Sequence, residues 1–132
     1  MKNLDLTSLE KALTSLQKAI ERYGREPGDE EVRDSVIQRF EYSYELCWKM
    51  LSKELQQRTP SPSQTPSLDF KSLVREGSRF GLIDDPEVWF EYRRMRNITS
   101  HTYDEATAEK VAGSAKSFLK DAKSLLEALE KG

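Results

Sequence analysis

Residues 30–55, EEVRDSVIQRFEYSYELCWKMLSKEL, decide the fold. Val32, Val36, Ile37, Phe40, Tyr44, Cys47, Trp48, Leu51 and Leu55 recur in steps of three and four, the period of an α-helix with one apolar face. The stripe is too broad for one neighbour and predicts a central helix touched on two sides. Glu30 and Glu31 suit the positive end of the helix dipole, and Pro60, Pro62 and Pro66 stop continuation.

Upstream, Leu6, Leu9, Leu13, Leu16, Ile20 and Tyr23 form a second stripe, ending near Gly24 before the polar connection through Pro27, Gly28 and Asp29. Thr7 and Glu10 have the spacing of a capping box, with Asp5 as the rival cap. Thr59 to Ser67 is a Pro/Ser-rich, low-complexity stretch expected to be a mobile loop.

Downstream, a shorter helix is expected to hold Phe70, Leu73, Val74 and Phe80, with Gly81 free to take the left-handed conformation after it. Asp85-Pro86 reads as cap and first residue of a helix carrying Val88, Trp89, Tyr92, Met95 and Arg96. Val111, Ala115, Phe118, Ala122, Leu125 and Leu129 place a near-heptad stripe on a last helix starting at Asp104 or Thr107. No segment alternates apolar and polar residues as a strand would. The expectation is an all-α, antiparallel up-and-down bundle of four long helices plus one short helix, forming a single domain over residues 1–132.

The formal net charge is -2, from 21 basic and 23 acidic residues, so the chain has no global positive field and any RNA contact must be local. Cys47 is the only cysteine, excluding an intrachain disulfide; it reads as a core residue in a reducing compartment. No signal peptide or membrane span is legible, which implies a cytoplasmic protein without membrane contact. Asn97-Ile98-Thr99 matches a glycosylation acceptor by chance.

A glycine-rich phosphate loop, paired cysteines and a His-x3-His pattern are all missing, and the single histidine argues against metal catalysis; no cofactor is expected. What remains is Arg96-Asn97-Ile98-Thr99-Ser100-His101-Thr102-Tyr103, a tight corner between two helices. An arginine can hold a phosphate oxygen through parallel hydrogen bonds, and a histidine can exchange a proton near neutral pH. Together they suit RNA cleavage, where the ribose 2′-hydroxyl is the nucleophile. Spacing alone leaves the blander alternatives open. A lone histidine in a connection is ordinarily a polar cap or surface residue, and Tyr103 an exposed corner tyrosine. Arg93 and Arg94 read as solvated or paired with Glu87 and Glu91, and Trp48, Trp89, Phe40 and Tyr44 as core or interface residues.

Phe40-Glu41-Tyr42-Ser43-Tyr44-Glu45-Leu46-Cys47-Trp48-Lys49, together with Arg96 to Glu105, closely resembles the nucleotidyltransferase substrate-binding protein family, which belongs to the HEPN domains. The resemblance covers nearly the whole chain. It implies a helical homodimer associated with a separately encoded minimal nucleotidyltransferase. It further implies an Arg-x4-His-x-Tyr motif in which Arg96 binds phosphate, His101 is the acid/base, Asn97 is a supporting polar group and Tyr103 is an adenylylation site that silences a metal-independent ribonuclease toxin. The alternative it leaves is a non-catalytic subunit that presents a nucleotide or substrate to the nucleotidyltransferase.

Overall fold

The computed structural model describes residues 4–58 and 69–131. The stretch Thr59 to Ser67, expected to be a mobile loop, lies outside the described residues. Five α-helices follow in order: α1 (Thr7–Arg25), α2 (Glu30–Arg58), α3 (Phe70–Arg79), α4 (Pro86–Asn97) and α5 (Glu105–Lys131), with a 3₁₀ turn at Thr99–His101 between the last two. The fold is an all-α helical bundle. Among the described residues there is no strand, and no helix is long and apolar enough to cross a membrane.

At the start of each of these helices an aspartate carboxylate accepts a hydrogen bond from a first-turn N–H, satisfying a donor that has no partner inside the helix; at α1 this is Asp5, one residue before the cap position Leu6. The donors are Thr7 to Asp5 at 3.0 Å, Glu31 to Asp29 at 2.9 Å, Ser72 to Asp69 at 2.8 Å, Glu87 to Asp85 at 3.0 Å and Thr107 to Asp104 at 3.1 Å. The capping box expected at Thr7 and Glu10 does not form. Asp5, a charged acceptor two residues upstream of Thr7, takes the free N–H, while the Glu10 N–H bonds the Leu6 carbonyl at 3.0 Å. Asp85 with Pro86 at the first helical position, and Asp104 before α5, are as the sequence indicates.

α1, α2 and α5 form the body of the bundle, with α3 and α4 packed against the C-terminal half of α2. The broad stripe of α2 meets several neighbours, and its Phe40, Tyr44, Cys47, Leu51 and Leu55 share one buried cluster with α1, α3, α4 and α5. Every residue of the α5 stripe is buried. Phe118 lies at the centre: its ring contacts Phe40 at 5.0 Å, Tyr92 at 5.2 Å and Trp89 at 5.9 Å, each edge-to-face. The Tyr92 hydroxyl donates to Asp121, so α4 is fixed to α5 by both an aromatic and a polar contact. Cys47 is a core residue, and burial pushes its thiol pKa up.

Gly81 has φ +78°, the left-handed conformation that ends α3, and Leu82 returns its N–H to the Gly77 carbonyl at 2.8 Å. A Cβ at Gly77 would lie 3.1 Å from Ile83 Cδ1 and 3.2 Å from Leu51 Cδ1, so a side chain there would require those two side chains to shift by a few tenths of an ångström. Phe80 departs from expectation. It sits beyond the last turn of α3, is exposed, and is flanked by Arg58 at 5.5 Å and Arg79 at 5.2 Å instead of by core residues.

Two charged groups are buried that periodicity did not mark. Arg33 bonds Glu105 at 2.7 Å and Asp34 at 3.3 Å, tying the start of α2 to the start of α5. Burial works against its charge, yet those hydrogen bonds prevail and raise its pKa. Glu54 pairs with Arg58 at 2.8 Å on the same helix.

Candidate functional site

The corner between α4 and α5 is built from a backbone with few loose ends. The Ile98 N–H bonds the Met95 carbonyl at 3.2 Å, His101 donates to the Ile98 carbonyl at 3.0 Å, and Asp104 donates to the His101 carbonyl at 3.2 Å. The Ile98 side chain packs against the core and pins the turn from below. Hydroxyls close the remaining gaps: Thr102 Oγ1 donates to the Thr99 carbonyl at 3.0 Å, and Thr99 Oγ1 lies 2.8 Å from the Arg96 carbonyl and 2.9 Å from Glu41 Oε2. Asp104 then caps α5, accepting from both the N–H and the hydroxyl of Thr107, which holds its carboxyl below the usual range. The main chain is thus pre-organised, and the side chains of Asn97, His101 and Tyr103 are exposed on it.

Arg96 occupies the last turn of α4. Its Nε donates to Glu45 Oε1 of α2 at 2.5 Å, which fixes one edge of the guanidinium. Its two terminal nitrogens make no hydrogen bond among the described residues, so that edge of the guanidinium is open to an anion. Asn97, the next residue, is exposed. His101 is exposed on the 3₁₀ turn, and its ring centroid lies 6.1 Å from that of Tyr103, edge-on. Tyr103 is 87% exposed, which leaves its hydroxyl open to modification.

The structure places Arg96, Asn97, His101 and Tyr103 on one corner, but among the described residues no hydrogen bond or ion pair joins Arg96 to His101. A ligand bridging them would have to supply that connection. Two glutamates complete the corner: Glu41 and Glu45, one turn apart on α2, reach Thr99 and Arg96 respectively. In the sequence they look like ordinary solvated charges on the polar side of the helix. Their signals are the four-residue spacing and their place in the stretch 40–49 that carries the family resemblance, and neither names Thr99 or Arg96 as a partner.

Arg93 corrects an expectation. It is half-buried and pairs with neither Glu87 nor Glu91 among the described residues; its guanidinium lies 4.5 Å from the ring centre of Phe70 and 5.4 Å from that of Trp48. Trp48 and Phe70 stack at 4.9 Å, offering a π surface that outcompetes a solvated carboxylate for a weakly hydrated cation. Arg94 does pair with Glu91, at 2.6 Å. Phe40, Tyr44 and Trp89 are core residues, and burial raises the Tyr44 phenol pKa despite the opposing charge of Arg93. No three His, Cys, Asp or Glu side chains cluster as metal ligands among the described residues.

Fold and corner together define a class: a helical bundle that presents a cation, an imidazole and a phenol on one rigid, exposed turn. The chain belongs to the family described as nucleotidyltransferase substrate binding protein like, which matches residues 4–131. It is 46% identical over 94 residues to a protein of Haemophilus influenzae named probable ribonuclease HepT, a stretch covering 71% of this chain and 64% of that relative. The chain therefore matches less than two thirds of that relative's length. A solved structure from Haemophilus influenzae, described as the fold of a substrate binding domain of a nucleotidyltransferase, superposes with a TM-score of 0.90 at 36% identity, over 96% of this chain and 99% of the other.

Proposed function

We propose that the chain is a HEPN-type endoribonuclease that works with a nucleotidyltransferase partner, as the toxin of a toxin–antitoxin pair. The observation that carries the reading is the half-engaged guanidinium of Arg96, held at Nε by Glu45 with its terminal fork open, beside an exposed His101 on the same turn. The family match and the ribonuclease name of the Haemophilus relative agree with it.

In this mechanism His101 removes the proton of a ribose 2′-hydroxyl, and the 2′-oxygen attacks the adjacent phosphorus. The bond from phosphorus to the 5′-oxygen breaks, giving a 2′,3′-cyclic phosphate and a 5′-hydroxyl. The terminal nitrogens of Arg96 hold the non-bridging oxygens, whose charge is greatest in the transition state. Asn97 orients the substrate. The leaving oxygen departs on the side opposite the attack and needs a proton there, which one histidine cannot readily supply from its own side. A second copy of the corner across a homodimer cleft provides it.

Tyr103 supplies the switch. The nucleotidyltransferase partner directs the phenolic oxygen onto the α-phosphorus of ATP, forming a tyrosyl–AMP ester and releasing pyrophosphate. The adduct puts negative charge and bulk two residues from His101, where the RNA phosphate would sit, and so blocks cleavage. The exposure of the tyrosine supports this reading.

A second reading, a non-catalytic subunit that presents substrate to the nucleotidyltransferase, draws on the description of the Haemophilus structure. Purified chain incubated with RNA in a chelator separates the two. The ribonuclease reading expects cleavage that Arg96→Ala and His101→Ala abolish; intact RNA with all three proteins, alongside retained binding to the nucleotidyltransferase, would establish the substrate-presenting role instead.

A further inference from the structure

Beyond the corner, α3 and α4 gather cations around aromatic rings. Lys71 Nζ and the Arg75 guanidinium each lie 5.8 Å from the ring centre of Phe90, Phe90 meets Phe70 edge-on at 6.2 Å, and Arg93 lies 4.5 Å over Phe70. Asp69, Phe70, Lys71, Phe90 and Arg93 line an open depression there. Asp69 is the one carboxylate in that lining, and it is committed to capping α3 through Ser72.

Among the described residues Arg22, Arg33, Arg58, Arg79, Arg94 and Arg96 each pair with a carboxylate. Lys71, Arg75 and Arg93 form no such ion pair, and they differ from the similarly unpaired Arg25 and Arg39 in lying together against aromatic rings. In a chain of net charge -2, composition does not force such a local excess of unpaired cations.

The patch is continuous with the corner. Phe90, Arg93 and Arg96 follow at three-residue steps on α4, about 9 Å from first to last at the rise of an α-helix. Arg93 and Arg96 meet Trp48 and Glu45, themselves three residues apart on α2, so both contacts lie in one seam. Cations that follow a backbone, interleaved with rings on which bases stack, form the usual platform for single-stranded nucleic acid. A second copy of this face is a poor occupant, because a two-fold contact sets like charges against each other.

We propose that the α3–α4 face is a binding track for the single-stranded RNA flanking the scissile phosphate, with Lys71 and Arg75 on backbone phosphates and Phe90 under a base. The choice of RNA rests on the ribonuclease reading above; the track itself rests on the unpaired cations and the rings. It sets where the strand lies and contributes affinity, not chemistry.

The test measures binding of fluorescein-labelled, mixed-sequence single-stranded RNA by anisotropy, over a salt series, in the full chain carrying His101→Ala. Adding Lys71→Gln with Arg75→Gln should weaken binding at least tenfold and lower the slope of log affinity against log salt by about 1.4, at roughly 0.7 for each lost phosphate contact. Phe90→Leu, which retains a packed side chain, should weaken binding about fivefold or more with the slope unchanged. Circular dichroism checks that each variant folds, and the charge pair lies on a solvated face, so at least that arm stays readable.

Unchanged affinity and slope in the charge variant would overturn the track, as would a parent that binds no RNA. Loss of co-purification with a co-expressed nucleotidyltransferase, with RNA affinity intact, would overturn it too and assign the face to that protein. If the native chain fails to cleave RNA yet the variants weaken binding as stated, the ribonuclease reading falls and the track stands.

Discussion

Replacing Glu45 separates two roles that the structure combines in one contact. The Glu45 carboxylate orients Arg96 through Nε, and under the proposed ribonuclease function it would also compete with an RNA phosphate for the same positive charge. The side chains are 51% and 38% exposed, so the pair is screened by water and contributes only about 0.2–1 kcal/mol to folding. Glu45→Gln keeps an oxygen that can accept from Nε but removes the charge. RNA should then bind more tightly by a similar amount, about 1.4- to 5-fold in KM, with kcat nearly constant. Glu45→Ala removes the acceptor as well, and the freed guanidinium no longer points its fork at the phosphate; a misplacement of about 1 Å can reduce kcat by up to about 100-fold. Initial rates on a fluorogenic RNA in chelator at fixed salt give both constants, and urea unfolding gives stability. If the two variants share the same kinetics, the positioning role is wrong. If either loses more than about 2 kcal/mol of stability, Glu45 acts on the fold and not on Arg96 alone.

Phe118→Ala removes the ring at the centre of the aromatic cluster and should cost about 3–5 kcal/mol in urea unfolding; a loss below 1 kcal/mol would show that the core does not depend on it. Tyr103→Phe should leave stability within about 0.5 kcal/mol, given its exposure, and should abolish the adenylate mass increase that intact-mass spectrometry detects after co-expression with the nucleotidyltransferase. The capping carboxylates Asp5, Asp69 and Asp104 have pKa values lowered chiefly by hydrogen bonds from Thr7, Ser72 and Thr107. Because the folded values lie below the unfolded one of about 3.9, their contribution is complete above that pH and disappears as pH falls through the folded values. Thermal melts from pH 6 to pH 3 should therefore show a smaller acid-side fall in Tm for Asp104→Asn, which still caps but does not titrate, than for the native chain.

Local periodicity reveals helices because each apolar stripe must meet a core, whatever that core contains. The α2 and α5 stripes and the Asp85-Pro86 start were legible for that reason, and so was the glycine that ends α3. The corner was legible too, since Arg96 to Tyr103 falls between two recognisable helices. Its wiring was not. Glu45 reaches Arg96 across 51 residues and Glu41 reaches Thr99 across 58, and no local rule links positions so far apart. Arg93 was misread for the same reason: its nearby glutamates were visible, whereas Phe70 and Trp48 come from two other helices. Buried Arg33 owes its partner Glu105 to the way α2 and α5 meet, which only the assembled bundle defines.

The chemistry assigned to Arg96 and His101 is tested most directly by the ends it leaves. An RNA oligonucleotide, incubated with the purified chain in chelator, should give a 2′,3′-cyclic phosphate and a 5′-hydroxyl. A single 2′-deoxyribose on the 5′ side of the scissile phosphate should stop cutting there, as should His101→Ala. Cleavage that persists through the deoxy position, or ends that carry a 5′-phosphate, would contradict attack by the 2′-hydroxyl and the roles given to both residues.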